Sequence, residues 1–429
     1  MKKTLTVLTL IALLFSTNLR AQNGSGGVNP IGQEINGNAD IDAKDYLNTI
    51  TTGVPFLSIS PDSRAGAMGD MGVATSADVN SQAYNAAKYA FSDNTFGFSV
   101  SYSPWLRRLV SDINLAYLSA YYKVTDMDAI GFSLRYFSLG NITFTDENGL
   151  TVSDQSPNEF AIDFSYSRKL IDELSIAITP RFIYSNLTAG QFVGGQESKA
   201  GLAGAADLAL FYEQPFKSRS LESSVLRAGL CISNMGNKIS YTSALHRDFL
   251  PANLKLGIGY EMGFDDYNKL TINGEINKLL VPSNPIYATD STGRQIYDYS
   301  DPSNPIPVIA YGRDNDVSVP QGIFQSFYDA PRGFREEMAE INWALGLEYS
   351  YRDLFFFRTG YFYESKHKGG RQFLTLGAGF KYNIFNFDIS YLFSTTGQYH
   401  PLANTLRFTL SFDFKSFNSD EIKRQGKLR

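Results

Sequence analysis

The sequence predicts an all-β protein, a transmembrane antiparallel β-barrel of about 14 strands with an N-terminal hatch segment in the lumen. Three observations predict it. Segments of about ten residues alternate apolar and polar side chains, the period-two pattern of a strand with one dry and one wet face. No stretch of the mature region approaches the roughly 20 apolar residues a spanning helix needs, whereas about ten suffice for a tilted strand. The connectors between segments are short and long in turn, as periplasmic turns and extracellular loops are in outer-membrane barrels. Composition agrees: among 429 residues Phe (32) and Tyr (26) far outnumber Trp (2), Gly reaches 36 and charged residues are 19%. That is too apolar for a disordered polyelectrolyte. A net charge of -5 without a basic stripe excludes nucleic acid as a partner, and a lone Cys231 excludes an internal disulfide.

At the N-terminus, Lys2 and Lys3 precede the apolar run Leu5 to Phe15, and Leu19-Arg20-Ala21 offers a small-residue cleavage site before Gln22. Residues 1–21 are therefore expected to be a bacterial signal peptide, its apolar run too short to anchor. No cysteine follows the site, so no lipoprotein anchor is expected. Residues 22–53, rich in Gly, Asn and Asp, read as a flexible periplasmic N-terminal segment. Residues 54–93 read as the hatch: between Phe56 and Phe91, Gly66, Gly69, Gly72 and many small residues allow tight backbone packing, and no strand pattern interrupts them.

The barrel is expected over 94–415, with strands near 95–103, 112–123, 129–138, 158–169, 174–185, 202–212, 225–234, 252–262, 269–279, 340–351, 354–363, 373–382, 385–394 and 405–414. The last is the clearest: Leu406, Phe408, Leu410, Phe412 and Phe414 share one face, and Arg407, Thr409, Ser411 and Asp413 the other. Trp343, Leu345, Leu347 and Tyr349 likewise oppose Asn342, Glu348 and Ser350. A soluble β-sandwich has no reason to sort its connectors by parity; a membrane barrel does. The parity places both termini in the periplasm, with a periplasmic C-terminal tail at 416–429. On the polar face Arg135, Arg181, Arg227, Lys255, Arg358 and Arg407 stand among Asp163, Glu261, Glu275, Glu348, Asp388 and Asp413, so an inward ion network is expected. Fourteen strands enclose more space than side chains fill, which calls for a plug. Gly257, Gly259, Gly377 and Gly379 alternate on inward faces and are expected to make room for it.

Catalytic chemistry is missing. Only His246, His367 and His400 are available as imidazole bases, all in or beside loops, and no nucleophile-elbow, zinc-protease or Walker pattern occurs. No enzyme, cofactor or metal site is expected. Asp290, Asp298, Asp301, Asp314 and Asp316 crowd the largest loop; calcium takes such ligands, but their spacing fits no recognised cage and a solvated acidic loop explains them too. Pro180 interrupts a regular strand, where it cannot donate to the ladder, and reads either as a bulge or as a kink with a lateral opening.

Four stretches carry a family resemblance: TGVPFLSISPDSRAGAMGDMGVATSADVNSQAYNAAKYAFSD (Thr52 to Asp93), GIFQSFYDAPRGFREEMAEI (Gly322 to Ile341), LEYSYRDLFFFRTGYFYE (Leu347 to Glu364) and HPLANTLRFTLSFDF (His400 to Phe414). Over nearly its whole mature length the chain resembles the PorV (LptO) family of the type IX secretion system of Bacteroidetes, within the FadL-like group of outer-membrane barrels. The resemblance implies fourteen strands, a lumenal hatch and a non-enzymatic role in the outer membrane. It implies binding of secreted cargo proteins by their C-terminal signal domains at the SprA translocon, and transfer to a PorU-containing attachment complex. It also implies involvement in lipopolysaccharide deacylation, for which no catalytic residues are present. The alternative is a FadL-like transporter of hydrophobic compounds; the DAPRGF element and the long loop favour the secretion family. Where the transporters carry an NPA-type hatch motif, this chain has Tyr84-Asn85-Ala86-Ala87. A cargo or translocon contact is expected on the long extracellular loop 280–339, where Phe324, Phe327 and Tyr328 have the composition of binding anchors, although packing of the loop on the barrel mouth would use them equally.

Overall fold

The computed structural model describes residues 47–104, 112–145, 151–187, 192–193, 196–217, 221–242, 247–301, 305–396 and 405–415. The expected signal peptide, most of the N-terminal segment, the C-terminal tail, His246 and His400 lie outside them.

Fourteen strands close into one antiparallel barrel: β1 (Phe96–Pro104), β2 (Asn114–Lys123), β3 (Asp128–Ser138), β4 (Asn158–Ile171), β5 (Leu174–Asn186), β6 (Gly201–Phe216), β7 (Ser223–Gly236), β8 (Asn253–Gly263), β9 (Asn268–Leu279), β10 (Asn342–Tyr351), β11 (Phe355–Tyr363), β12 (Gln372–Tyr382), β13 (Phe385–Ser394) and β14 (Leu406–Phe414). The barrel closes through β1 and β14, from Phe96↔Phe414 to Tyr102↔Phe408. Closure removes the unpaired edge that an open sheet would present. Connectors leaving even-numbered strands are short, none longer than 217–222, whereas those leaving odd-numbered strands are longer, from 364–371 up to 280–341.

The apolar face points outward. Along β10, Trp343, Leu345, Leu347, Tyr349 and Tyr351 are exposed while Asn342, Ala344, Glu348 and Ser350 are buried. Exposed aromatics gather near both rims, Tyr122, Tyr351, Phe355 and Tyr382 at the short-turn end and Tyr102, Tyr136, Phe182 and Trp343 at the other. Apolar walls between aromatic girdles are what a lipid-facing barrel presents.

The segment from Val54 to Ser92 fills the lumen as a chain of short helical turns, the first led by Val54 without a side-chain cap and later ones started by a polar side chain. Asp62 accepts from the Ala65 amide and Asn85 from the Ala87 amide. Its course contradicts one expectation. Before the hatch begins, the Asn48 amide donates to the His367 carbonyl and the Gly53 amide to the Phe249 carbonyl, both 2.9 Å. Those carbonyls lie in the connectors β11–β12 and β7–β8, at the long-connector end. At the hatch's other end Lys123 Nζ donates to the Ser92 carbonyl, 2.7 Å, and the Thr95 amide to the Phe414 carbonyl, 3.0 Å, at the short-turn end. Leu47 and Lys415 therefore lie at opposite ends of the barrel, and residues 47–53 do not belong to a lead on the side where β1 begins. Parity counted only strands, and the hatch adds one crossing that has no strand pattern.

The longest connector contributes a compact unit of its own, residues 283–316 and 327–338. Two short hairpin pairings organise it, Ile286–Tyr287 with Ile309–Tyr311 and Tyr297–Asp298 with Ile306–Pro307. The intervening residues 317–326, including the helix Val319–Gln325, group with the barrel.

Candidate functional site

Hatch and wall are joined around most of the circumference. Arg64 lays its guanidinium on Glu348 of β10 in two bonds of 3.0 Å, from Nε and Nη2, and also reaches Asp78 at 2.8 Å within the hatch. Arg358 of β11 binds the same Glu348 and Asp388 of β13, each at 2.5 Å. Arg407 of β14 pairs with hatch Asp70 at 2.6 Å. Glu275 of β9 accepts from the Gly72 and Val73 amides at 2.9 and 3.0 Å, and Arg135 of β3 donates to the Leu57 carbonyl at 2.7 Å. Neutral bonds add Ser119 of β2 to the Val79 carbonyl, Gln82 to Ser165 of β4, the Ala87 carbonyl to Ser175 of β5, Asn85 to the Leu210 carbonyl of β6 and the Gly69 amide to Thr375 of β12. The expected network is present, but several wall charges are satisfied by the hatch and not by one another. Others pair within the wall: Arg181 with Asp163 and Asp207, Arg227 with Glu213 and Glu261.

Steric fit repeats this. A Cβ on Gly257 or Gly259 would press on Ala74, one on Gly377 on Ala67, and one on Gly360 on the backbone of Met68 and Gly69. Gly379 behaves differently, leaving room for the Arg358–Asp388 pair within the wall. Gly69 takes φ +73° with the Tyr361 backbone 3.0 Å from where its Cβ would be, so a side chain there is excluded twice over. Asn85, in the place of the transporters' motif, is a structural clamp: besides Leu210 it donates to the Val73 carbonyl at 3.0 Å.

Pro180 faces outward on β5 and pairs with Ala206 of β6. On its other side the β4–β5 pairs run to Asp163↔Arg181 and resume at Tyr166↔Ile178 without a register change, so the missing donor interrupts the ladder locally. The bulge lies one ladder further on, between Ala206 and Leu208 of β6 opposite β7, where Asn234 has φ 59°.

Of the three aromatics singled out from sequence, Phe324 projects from the helix Val319–Gln325 and is 71% exposed. That helix sits against Phe249 and Pro282 at Gly322, where a Cβ would meet the phenyl ring at 2.8 Å. In the separate connector unit Phe327 and Tyr328 are also exposed, Tyr328 with the Arg313 guanidinium over its ring at 4.5 Å. Sequence reasoning passed over Phe334 and Met338 of the helix Phe334–Ala339, which are exposed too. Their signal was available, two apolar residues among charged neighbours in a loop. Two acidic residues of this unit cap their own turns: Asp290 accepts from the Thr292 hydroxyl and from the Thr292 and Arg294 amides, which hold it below the usual carboxylate range, and Asp298 does the same with Ser300. Among the described residues no group of three His, Cys, Asp or Glu side chains converges as metal ligands do.

A family model described as type IX secretion system protein PorV matches residues 42–286, more than half of the chain. No curated protein sequence matches. Similar solved structures include the toluene transporter TbuX of Ralstonia pickettii (12% identity, 82% of this chain and 98% of that one, TM-score 0.42), the toluene transporter TodX of Pseudomonas putida (10%, 86% and 98%, 0.42) and a FadL homologue of Pseudomonas aeruginosa (12%, 86% and 99%, 0.40). At such identities and scores neither site nor substrate transfers from them.

Proposed function

The chain belongs to the PorV family of type IX secretion system proteins, an outer-membrane component of that system, and from this premise we propose that it is a carrier. It binds secreted proteins by their C-terminal signal domains at the SprA translocon and passes them to a PorU-containing attachment complex. The observation that supports this best is the bonded hatch. A lumen filled in this way leaves the outer face as the surface available to a protein partner. A non-enzymatic role is consistent with it.

Phe324 on the barrel unit, and Phe327 and Tyr328 on the connector unit, are the proposed anchors. Each can bury roughly 1.5 to 3 kcal/mol of apolar surface against a partner. The test replaces Phe324 with Ser in one variant and Phe327 and Tyr328 with Ser in another, in cells that secrete by this route. The carrier reading expects secreted proteins to stay trapped or unattached, and co-purification of translocon or cargo to fall, while the barrel keeps its heat-resistant mobility on a gel. Normal secretion together with loss of uptake of a long-chain fatty acid would favour the importer. If neither changes, these aromatics only pack their loops.

A further inference from the structure

We infer that the hatch is threaded through the barrel from mouth to mouth, so that the described chain enters at the long-connector end and residues 47–53 stand at the cell surface. Three stages of the path are fixed. At the entrance Asn48 and Gly53 bond to His367 and Phe249, and Val54, Phe56 and Leu57 pack with Leu115, Phe137, Ile183 and Leu250, which line the long-connector ends of their strands or lie in a long connector. At mid-depth the Gly72 and Val73 amides bind Glu275, in the middle of β9. At the exit Ser92 bonds to Tyr121 and Lys123 at the short-turn end of β2, where β1 begins.

Long connectors face outward in outer-membrane barrels, so residues 47–53, bonded to the connectors that hold Phe249 and His367, share that outward face.

Single-cysteine labelling tests this. Native Cys231 is buried and supplies an unreactive background. Leu47→Cys (64% exposed) and Thr51→Cys report the entrance, Ser291→Cys a long connector and Asp126→Cys a short turn, all at exposed positions. An impermeant maleimide on intact cells is expected to label 47, 51 and 291, and to reach 126 only after permeabilisation. Labelling of 47 and 51 only together with 126 would place residues 47–53 in the periplasm and overturn the inference. Labelling of 126 alone on intact cells would invert the barrel and overturn it as well. Two entrance positions guard against local disturbance by either one, and heat-resistant mobility confirms that each variant is folded.

Discussion

Glu348 is the acceptor on which the hatch seal most depends, and removing it should loosen the hatch while leaving the barrel intact. Its carboxylate takes two bonds from Arg64 and one from Arg358. All three side chains are at most 12% exposed. In Glu348→Ala, Arg64 keeps Asp78 and Ser76, and Arg358 keeps Asp388, so neither guanidinium is stripped of partners. The loss is then that of hydrogen bonding to a charged acceptor, about 1.5 to 3 kcal/mol. At about 1.36 kcal/mol per decade, the undocked hatch becomes roughly one to two decades more populated. Native-state hydrogen exchange reads that population, since amides exchange through such openings. The segment from Ser63 to Asp78 is expected to exchange faster by that factor, with the strands unchanged and the heat-resistant band retained. Glu348→Gln keeps the shape and one acceptor oxygen and should fall between. Unchanged exchange of the hatch in a folded Glu348→Ala barrel would refute the account of the seal.

Gly360→Ala drives a methyl into the backbone of Met68 and Gly69 and is expected to cost about 1 to 3 kcal/mol, read as a lower melting temperature; Gly274→Ala, whose Cβ would meet only Leu345 at 3.6 Å, should melt like the parent. Pro180→Val restores a backbone donor between β5 and β4. If Pro180 marks a lateral opening, uptake of a hydrophobic dye should fall; the carrier reading expects both uptake and secretion to stay as they were.

The barrel was legible because its signal is repeated fourteen times and each repeat is read from neighbouring residues. β10 illustrates this, with every second side chain from Trp343 to Tyr351 apolar and outward. The widest disagreement is at β6, expected to stop near residue 212 and running to Phe216. Glu213, Gln214 and Pro215 read as a strand end. In the fold Glu213 pairs with Arg227 across the ladder to β7, and Pro215 lies beyond the last pair with β5, on a side where no donor is required. The hatch was legible only as composition. Its course depends on bonds between residues about 200 to 340 positions apart, such as Gly72 with Glu275 and Asp70 with Arg407, and no local period encodes those.

The seal also bears on which surface this fold uses. A solute crossing the lumen would have to part Arg64 from Glu348, Arg407 from Asp70, and the Gly72 and Val73 amides from Glu275. At about 1.5 to 3 kcal/mol for each broken contact to a charged group, clearing the passage costs roughly 4.5 to 9 kcal/mol before any neutral bond is counted. That leaves fewer than about one molecule in a thousand open at equilibrium. Spontaneous passage at such a population would be slow. A partner that docks on the barrel unit at exposed Phe324 meets none of these costs. The balance of energies thus assigns the lumen to holding the barrel shut, and the proposed carrier role requires no opening of it.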